Sequence, residues 1–250
     1  MLSDGPENSA WFEHRTLAAE MGVPVLRPAD LMAVDGGIGA RTDDGLIGID
    51  VLYRRVGHSE LVDDQDSAVG EMLRSALRAG TVALVNAPGN GVADDKAIYA
   101  FVRPMIQFYL GEDPILDDVG TWVLADPSQY EAVRGRMGEL VVKPVDGSGG
   151  EGVMIGPDLS AAQAAQLEKD VAAAPERYIA QEVVRFSTHP TLLDGRIQPR
   201  HVDLRIFALS HSMTSVDVPP IGLTRVALQP EGLLVNSSQG GGSKDTWIEC

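Results

Sequence analysis

Cysteine is nearly absent. The 250 residues hold one, Cys250, at the last position. A lone cysteine excludes an internal disulfide framework, and the cytoplasm is the expected compartment. Lysine is scarce too: Lys96, Lys143, Lys169 and Lys244 stand against sixteen arginines. No stretch approaches the roughly 20 apolar residues of a membrane helix. The opening Met1-Leu-Ser-Asp-Gly-Pro lacks the basic and apolar regions of a signal peptide. The chain is also short of positive charge overall, with a formal net charge of −16. Such a field repels nucleic acid and anionic membranes, so neither is an expected partner. Any anion site must then be built from local positive charge, which makes the placement of the lysines informative. Three of them lie in Gly- or Asp-rich segments, and only Lys169 has the setting of an ordinary helix-surface lysine.

What is present suits a globular protein. Hydrophobic residues make up 44% of the chain, and mean hydropathy is −0.02. There is no internal repeat. The order of elements divides the chain into an α/β segment (1–90), a second lobe (91–184) and a β-rich segment (185–250). In the first, helices are expected over Glu7–Met21 and Ala68–Ala79, each followed by glycine. Val23–Leu26 reads as a short strand and Ile47–Tyr53 as another. Asp35-Gly-Gly and Asp43-Asp-Gly45 signal a hairpin, and Thr81–Val85 reads as a buried strand.

In the second lobe a helix is expected from Asp94 to about Leu110, with Pro104 kinking or splitting it. Helices follow at Pro127–Met137 and Leu159–Ala173. Strands are expected at Glu139–Lys143, Gly152–Ile155 and Tyr178–Val184. Beyond 185, Val202–Leu209 alternates with Val202, Leu204, Ile206 and Ala208 on one face, and Leu223–Leu228 and Leu233–Val235 are further strands.

The densest chemical signal is Val141-Val-Lys-Pro-Val-Asp-Gly-Ser-Gly-Gly-Glu-Gly-Val153. A strand delivers Lys143, a loop with four glycines follows, and a second strand resumes. Glycine lets backbone N–H groups turn toward a phosphate with no Cβ in the way, and the lysine adds a fixed positive charge. No Gly-Lys-Ser/Thr follows, so this is not a Walker A loop. The glycines open no helix, so it is not a dinucleotide fingerprint. On spacing alone, a phosphate flap and a tight hairpin turn both remain open.

The neighbouring strings decide the direction. Val142–Gly152 resembles the flap of ATP-grasp enzymes. Asn86 with Asp94-Asp95-Lys96 resembles the first lysine segment of that fold, and Tyr178–Val184 its hinge strand along the adenine. Asp203-Leu-Arg205 resembles the Asp-x-Arg strand after the hinge. Gly222-Leu-Thr-Arg225 and Asn236-Ser-Ser-Gln-Gly-Gly-Gly resemble the next strand pair. Gly5-Pro-Glu-Asn-Ser, Phe12-Glu-His14, Tyr53-Arg-Arg55, Asn90–Lys96, Ser187–Thr191 and Gln239–Trp247 are similar to the circularly permuted, glutathionylspermidine-synthase-like ATP-grasp family. The resemblance covers nearly the whole chain.

It implies a partial, circularly permuted α/β ATP-grasp fold behind an α/β pre-domain, and it implies ligation. ATP phosphorylates a small-molecule or peptide carboxylate, and an amine nucleophile attacks the acyl phosphate. Lys96 and Lys143 would hold the α- and β-phosphates, with Gly147, Ser148, Gly149, Gly150 and Gly152 around them. Gln181, Glu182 and Asp203 would complete the nucleotide site, Glu182 with its flanking backbone meeting adenine or ribose. Arg205, Arg225 and Asn236 would be the catalytic residues, the arginines facing the γ-phosphate or acyl phosphate.

The family's Glu-x-Asn, which holds Mg2+, is missing. Asn8, Asn86, Asn90 and Asn236 are the four asparagines, and Pro6, Leu84, Pro88 and Leu234 stand two residues before them. The metal ligands are therefore unknown, and the chain is expected to lack the family's N-terminal half. A fragment, one half of a split enzyme that needs a partner chain, and a natural short form that binds nucleotide without catalysis are the three origins in view. A kinase-like phosphotransferase is a weaker alternative to the ligase.

Other residues carry two readings each. Tyr53-Arg54-Arg55 would bind a substrate carboxylate or end a strand in surface ion pairs. His14 would line a cleft or be a satisfied structural histidine. His189 and His201 flank a loop, Pro190–Pro199, that could serve as a lid, and they lack zinc spacing. Asn236–Lys244 is a glycine-rich tail or a second phosphate nest. Asp63, Asp64 and Asp66 would be a metal loop or, more simply, a solvated loop leading into the helix at Ala68.

Overall fold

The computed structural model describes residues 1–57, 61, 68–87, 89–147, 150–212, 214–229, 232, 235 and 241–248. The chain divides into two compact units, Met1–Asp94 and Asp95–Cys250. Among the described residues no helix is long and apolar enough to cross a membrane.

The first unit opens with α1 (Trp11–Met21), stopped by Gly22 at φ 66°. An antiparallel meander follows, β1 (Leu31–Val34), β2 (Gly37–Thr42) and β3 (Gly45–Ile49), turning at the Asp-Gly signals. The strand expected over Ile47–Tyr53 is two strands. β3 ends at Ile49, and β4 (Val51–Tyr53) pairs in parallel with β5 (Ala83–Val85). Between β4 and β5 the chain passes through α2 (Ala68–Ala79). Leu26 forms only an isolated parallel bridge to Leu2, which bridges to Arg54 on its other side. The strand read at Thr81–Val85 is shorter and less buried than expected: its end, Val85, is 46% exposed. The core gathers Leu2, Ile38, Leu52, Leu61, Leu73 and Val82.

The second unit begins with α3 (Lys96–Tyr99) and α4 (Val102–Leu110). Pro104 has no N–H for the Ala100 carbonyl, so one expected helix becomes two and Pro104 sits in the first turn of the second. Asp95 caps α3, its carboxylate accepting from the Ala97 N–H at 2.7 Å. A four-stranded antiparallel sheet carries β6 (Thr121–Val123), β9 (Tyr178–Gln181), β7 (Val141–Pro144) and β8 (Met154–Ile155) in that spatial order. Against it pack residues of α5 (Pro127–Val133) and α6 (Ala161–Ala173), around Leu124, Val133, Met137, Val142, Leu167 and Val171. The helix expected to Met137 ends at Val133, where Gly135 turns the chain at φ 78°. Ser160 and Gln163 close a capping box at the start of α6.

A second sheet runs β10 (Thr188–Leu193), β11 (Arg196–Ile206), β14 (Gly222–Val226) and β15 (Gly242–Lys244). β12 (Leu209–Ser212) and β13 (Ser215–Asp217) form a separate hairpin. The expected lid loop, Pro190–Pro199, is instead the end of the β10–β11 hairpin. Asp194 and Gly195 both take positive φ at its turn, as a two-residue hairpin of this twist requires. The strand expected at Leu233–Val235 and the acidic run at Asp63, Asp64 and Asp66 lie outside the described residues, Val235 excepted.

Candidate functional site

The second unit contains a cavity of about 350 Å3 whose wall includes Lys96, Lys143, Gly150, Gln181, Glu182, Asp203 and Arg225. Five elements bring these residues together. β7 delivers Lys143 just before the glycine loop, and the first residue of α3 is Lys96. β9 ends at Gln181, so the chain leaves the sheet through Glu182, Val183 and Val184 along the cavity. β11 and β14 supply Asp203 and Arg225, which are directly opposite in register.

The two lysines are neighbours, each held by one neutral acceptor. The Lys143 ammonium donates to Gln181 Oε1 at 2.5 Å. The Lys96 ammonium donates to the Gly147 carbonyl, and its backbone N–H donates to the Val145 carbonyl at 3.0 Å. One residue thus ties α3 to the start of the glycine loop twice. Burial pushes the Lys143 pKa down, and the like charge of Lys96 adds to that. An anion placed between the two ammonium groups would relieve both effects.

The loop needs its glycines for steric reasons that the structure makes specific. Gly152 has φ 67°, and a Cβ there would fall 2.7 Å from Pro144 Cγ. A Cβ on Gly147 would lie 3.1 Å from the Glu151 carbonyl oxygen. Ser148 and Gly149 lie outside the described residues.

Where the chain leaves β9, the Glu182 N–H donates to the Gly120 carbonyl at 3.0 Å. The Glu182 carboxyl lies over Gly120, where a Cβ would come within 2.9 Å of Glu182 Cδ. Val119, Val184 and Phe186 give this end an apolar lining. None of Val119, Gly120 and Phe186 was singled out from the sequence. The one local signal was the short β-rich run Thr121-Trp-Val123 after a glycine.

The remaining expected residues divide clearly. Arg205 shares a strand face with Asp203 but is exposed and does not line this cavity. Asn236 lies outside the described residues, although its neighbour Val235 is in the cavity wall. Lys244 is paired with Thr224 rather than with Arg225. Alternation along β14 therefore sets Lys244 on the other face of the sheet from Arg225. Its ammonium donates to the Pro190 carbonyl at 2.6 Å, which is structural and away from the two cavity lysines.

Arg54 and His14, both weighed as substrate contacts, are buried and satisfied inside the first unit. Arg54 donates to the carbonyls of Asn86, Val56 and Ala87 and to Asn90 Oδ1. Arg55 pairs with Glu13 at 2.6 Å. His14 Nδ1 meets Ser3 Oγ at 2.8 Å.

A magnesium site does not fit the residues described. Among them no three His, Cys, Asp or Glu side chains gather as metal ligands. Both oxygens of Asp203, a carboxylate in the cavity wall, are engaged by Arg225.

The profile of the circularly permuted ATP-grasp type 2 family matches residues 1–227. The chain belongs to that family. A Frankia alni protein named "Putative glutamate--cysteine ligase 2-3" is 50% identical over 99% of this chain, which covers 29% of that relative. "Uncharacterized protein sll0335" of Synechocystis is 45% identical over the same share, with 52% of its length covered. "Uncharacterized protein Rv2411c" of Mycobacterium tuberculosis is also 45% identical, with 46% covered. The chain thus spans about half, or less, of the relatives it matches.

Among solved structures, the ATP-grasp ligase PsnB complexed with minimal precursor overlaps at a TM-score of 0.37 and 14% identity, covering 92% of this chain and 77% of that one. D-alanyl-alanine synthetase A from Vibrio cholerae overlaps at 0.38 and 12%, covering 93% and 74%. Overlaps this loose carry no argument. Membership rests on the profile, and the ATP-grasp chain's α/β architecture agrees with it.

Proposed function

We propose that this chain is the nucleotide-binding part of an ATP-dependent carboxylate–amine ligase. One observation carries the reading: Lys96, Lys143 and Arg225, from three separate elements, line a single cavity beside a glycine loop in a protein of net charge −16. The two neighbouring ammonium groups repel each other, and an anionic ligand between them would relieve that repulsion. In this reading the lysines hold the phosphates and the exit from β9 past Glu182 meets the base. Arg225 faces the terminal phosphate. ATP supplies the phosphoryl group that activates a carboxylate. The name borne by the Frankia relative makes amino acids the first carboxylate and amine to try.

Asp203 bound to Arg225 favours a second reading, in which metal ligands come from a further segment or a partner chain. This chain then binds nucleotide without completing the reaction alone. Titration calorimetry with ATP, with and without Mg2+, tests the shared core of both readings. Wild type should bind, and Lys143→Ala should weaken binding roughly tenfold or more, as expected for loss of a charge-assisted contact. Equal affinity in the mutant would sink the phosphate reading. Release of ADP only when carboxylate and amine are both supplied would mark the ligase and separate it from a phosphotransferase.

A further inference from the structure

Thr121 does not line the cavity, yet it is joined to Lys143 by a directional chain of hydrogen bonds. It opens β6 directly opposite Gln181 on β9, and Val141 on β7 is opposite the same glutamine from the other flank. Directly opposed residues project to the same face of a sheet, and alternate residues of a strand do likewise. Thr121, Gln181, Val141 and Lys143 therefore share one face.

Gln181 is buried. Its Nε2 donates to Thr121 Oγ1 at 2.8 Å, and its Oε1 accepts from Lys143 Nζ at 2.5 Å. The Thr121 hydroxyl has a single proton, and it is donated to the Val119 carbonyl at 2.8 Å. Toward Gln181 that hydroxyl can then act only as an acceptor. The amide nitrogen is thereby fixed on Thr121, and the amide oxygen must face the ammonium. A flipped amide would set NH2 against NH3+ and oxygen against a hydroxyl lone pair.

We propose that Thr121 is a positioning residue: acting through Gln181, it fixes the acceptor that holds the Lys143 ammonium at the wall of the nucleotide cavity. The nucleotide part of this proposal rests on the phosphate reading above; the link from Thr121 to Lys143 does not. A half-buried ammonium that stands beside a second ammonium leans on that acceptor to stay charged.

The experiment compares the wild-type chain with Thr121→Val, which keeps shape and loses the hydroxyl, and Thr121→Ser, which restores it. The first readout, without nucleotide, is the pH profile of Lys143 acylation by acetic anhydride, followed peptide by peptide by mass spectrometry. Thr121→Val should label roughly fivefold faster at a given pH, because an ammonium deprived of its acceptor loses its proton more readily. Thr121→Ser should match wild type. The second readout is ATP affinity, expected to be roughly fivefold weaker in Thr121→Val and restored in Thr121→Ser.

An unchanged Lys143 profile in Thr121→Val overturns the proposal whatever ATP does. A shifted profile in a chain whose wild type does not bind ATP upholds the link and overturns the phosphate reading instead. If Thr121→Val does not fold, as judged by circular dichroism, Thr121→Ala carries the same readouts.

Discussion

Asp203 and Arg225 stand directly opposite each other on β11 and β14, and the guanidinium takes both oxygens of the carboxylate, Nε donating to Oδ1 at 2.8 Å. A fork-to-fork pair of this kind fixes the guanidinium plane. On the proposed function, Asp203 would act on a nucleotide by aiming Arg225. Arg225→Met should weaken ATP binding on the order of tenfold, and ADP, which lacks the terminal phosphate, should lose less. Asp203→Asn should shift the two nucleotides in the same direction, with or without Mg2+. Calorimetry with each nucleotide checks this. A loss confined to the magnesium-containing titration would make Asp203 a metal ligand instead.

Lys143 gives the site a pH dependence. Its pKa lies below the ordinary 10.5 because burial and then the charge of Lys96 disfavour the ammonium. The charged form attracts phosphate, so ATP affinity should fall as pH rises through that lowered value. Lys96→Met removes the like charge and should move the midpoint of the fall upward, although overall affinity drops. Titrations from neutral pH up past the ordinary lysine value of 10.5 bracket the midpoint. A midpoint that stays put on loss of Lys96 would show that the two ammonium groups do not sense each other.

Arg54 should matter to stability and not to ligand binding. It is buried, with four hydrogen bonds to oxygen atoms inside the first unit. Lysine cannot reproduce the planar fork, so Arg54→Lys leaves buried carbonyls unpaired and should cost on the order of 2 kcal/mol. Urea unfolding measures the loss, and ATP affinity of the folded mutant should match wild type.

Acid should loosen the first unit through His14. Burial, followed by the nearby Arg55 charge, lowers its folded pKa from the ordinary 6.5. A base with a depressed folded pKa binds fewer protons folded than unfolded in the window between the two values. Its contribution is therefore complete above about 6.5 and is lost as pH falls through the folded value. Unfolding midpoints should decline below about pH 6.5, and in His14→Gln that slope should shrink. An identical slope in the mutant would assign the acid sensitivity to another group.

Much of the site was legible because it is written locally. Lys143 and the glycines after it are contiguous, and α2 occupies the expected span, Ala68–Ala79. What escaped depends on register. Nothing near Asp203 announces Arg225, 22 positions later, as its partner; the pairing of β11 with β14 creates it. The three residues of β6 show too little alternation to stand out, so Thr121 went unnoticed. The β10–β11 hairpin carried a readable Asp194-Gly195 turn, but the prolines on either side argued for a loop. Pro190 and Pro199 are opposite each other. A rung with neither N–H can only be one of the non-hydrogen-bonded rungs of the ladder, where no proton is asked of either strand.

The double attachment of Lys96 makes one backbone amide a gauge of the glycine loop. Its N–H is donated to Val145, at the foot of that loop. That proton exchanges with solvent only when helix and loop separate. Its deuterium uptake therefore counts separations of α3 from the chain end of β7, and a phosphate-bearing ligand bound between Lys96 and Lys143 would register there as a single slowed amide.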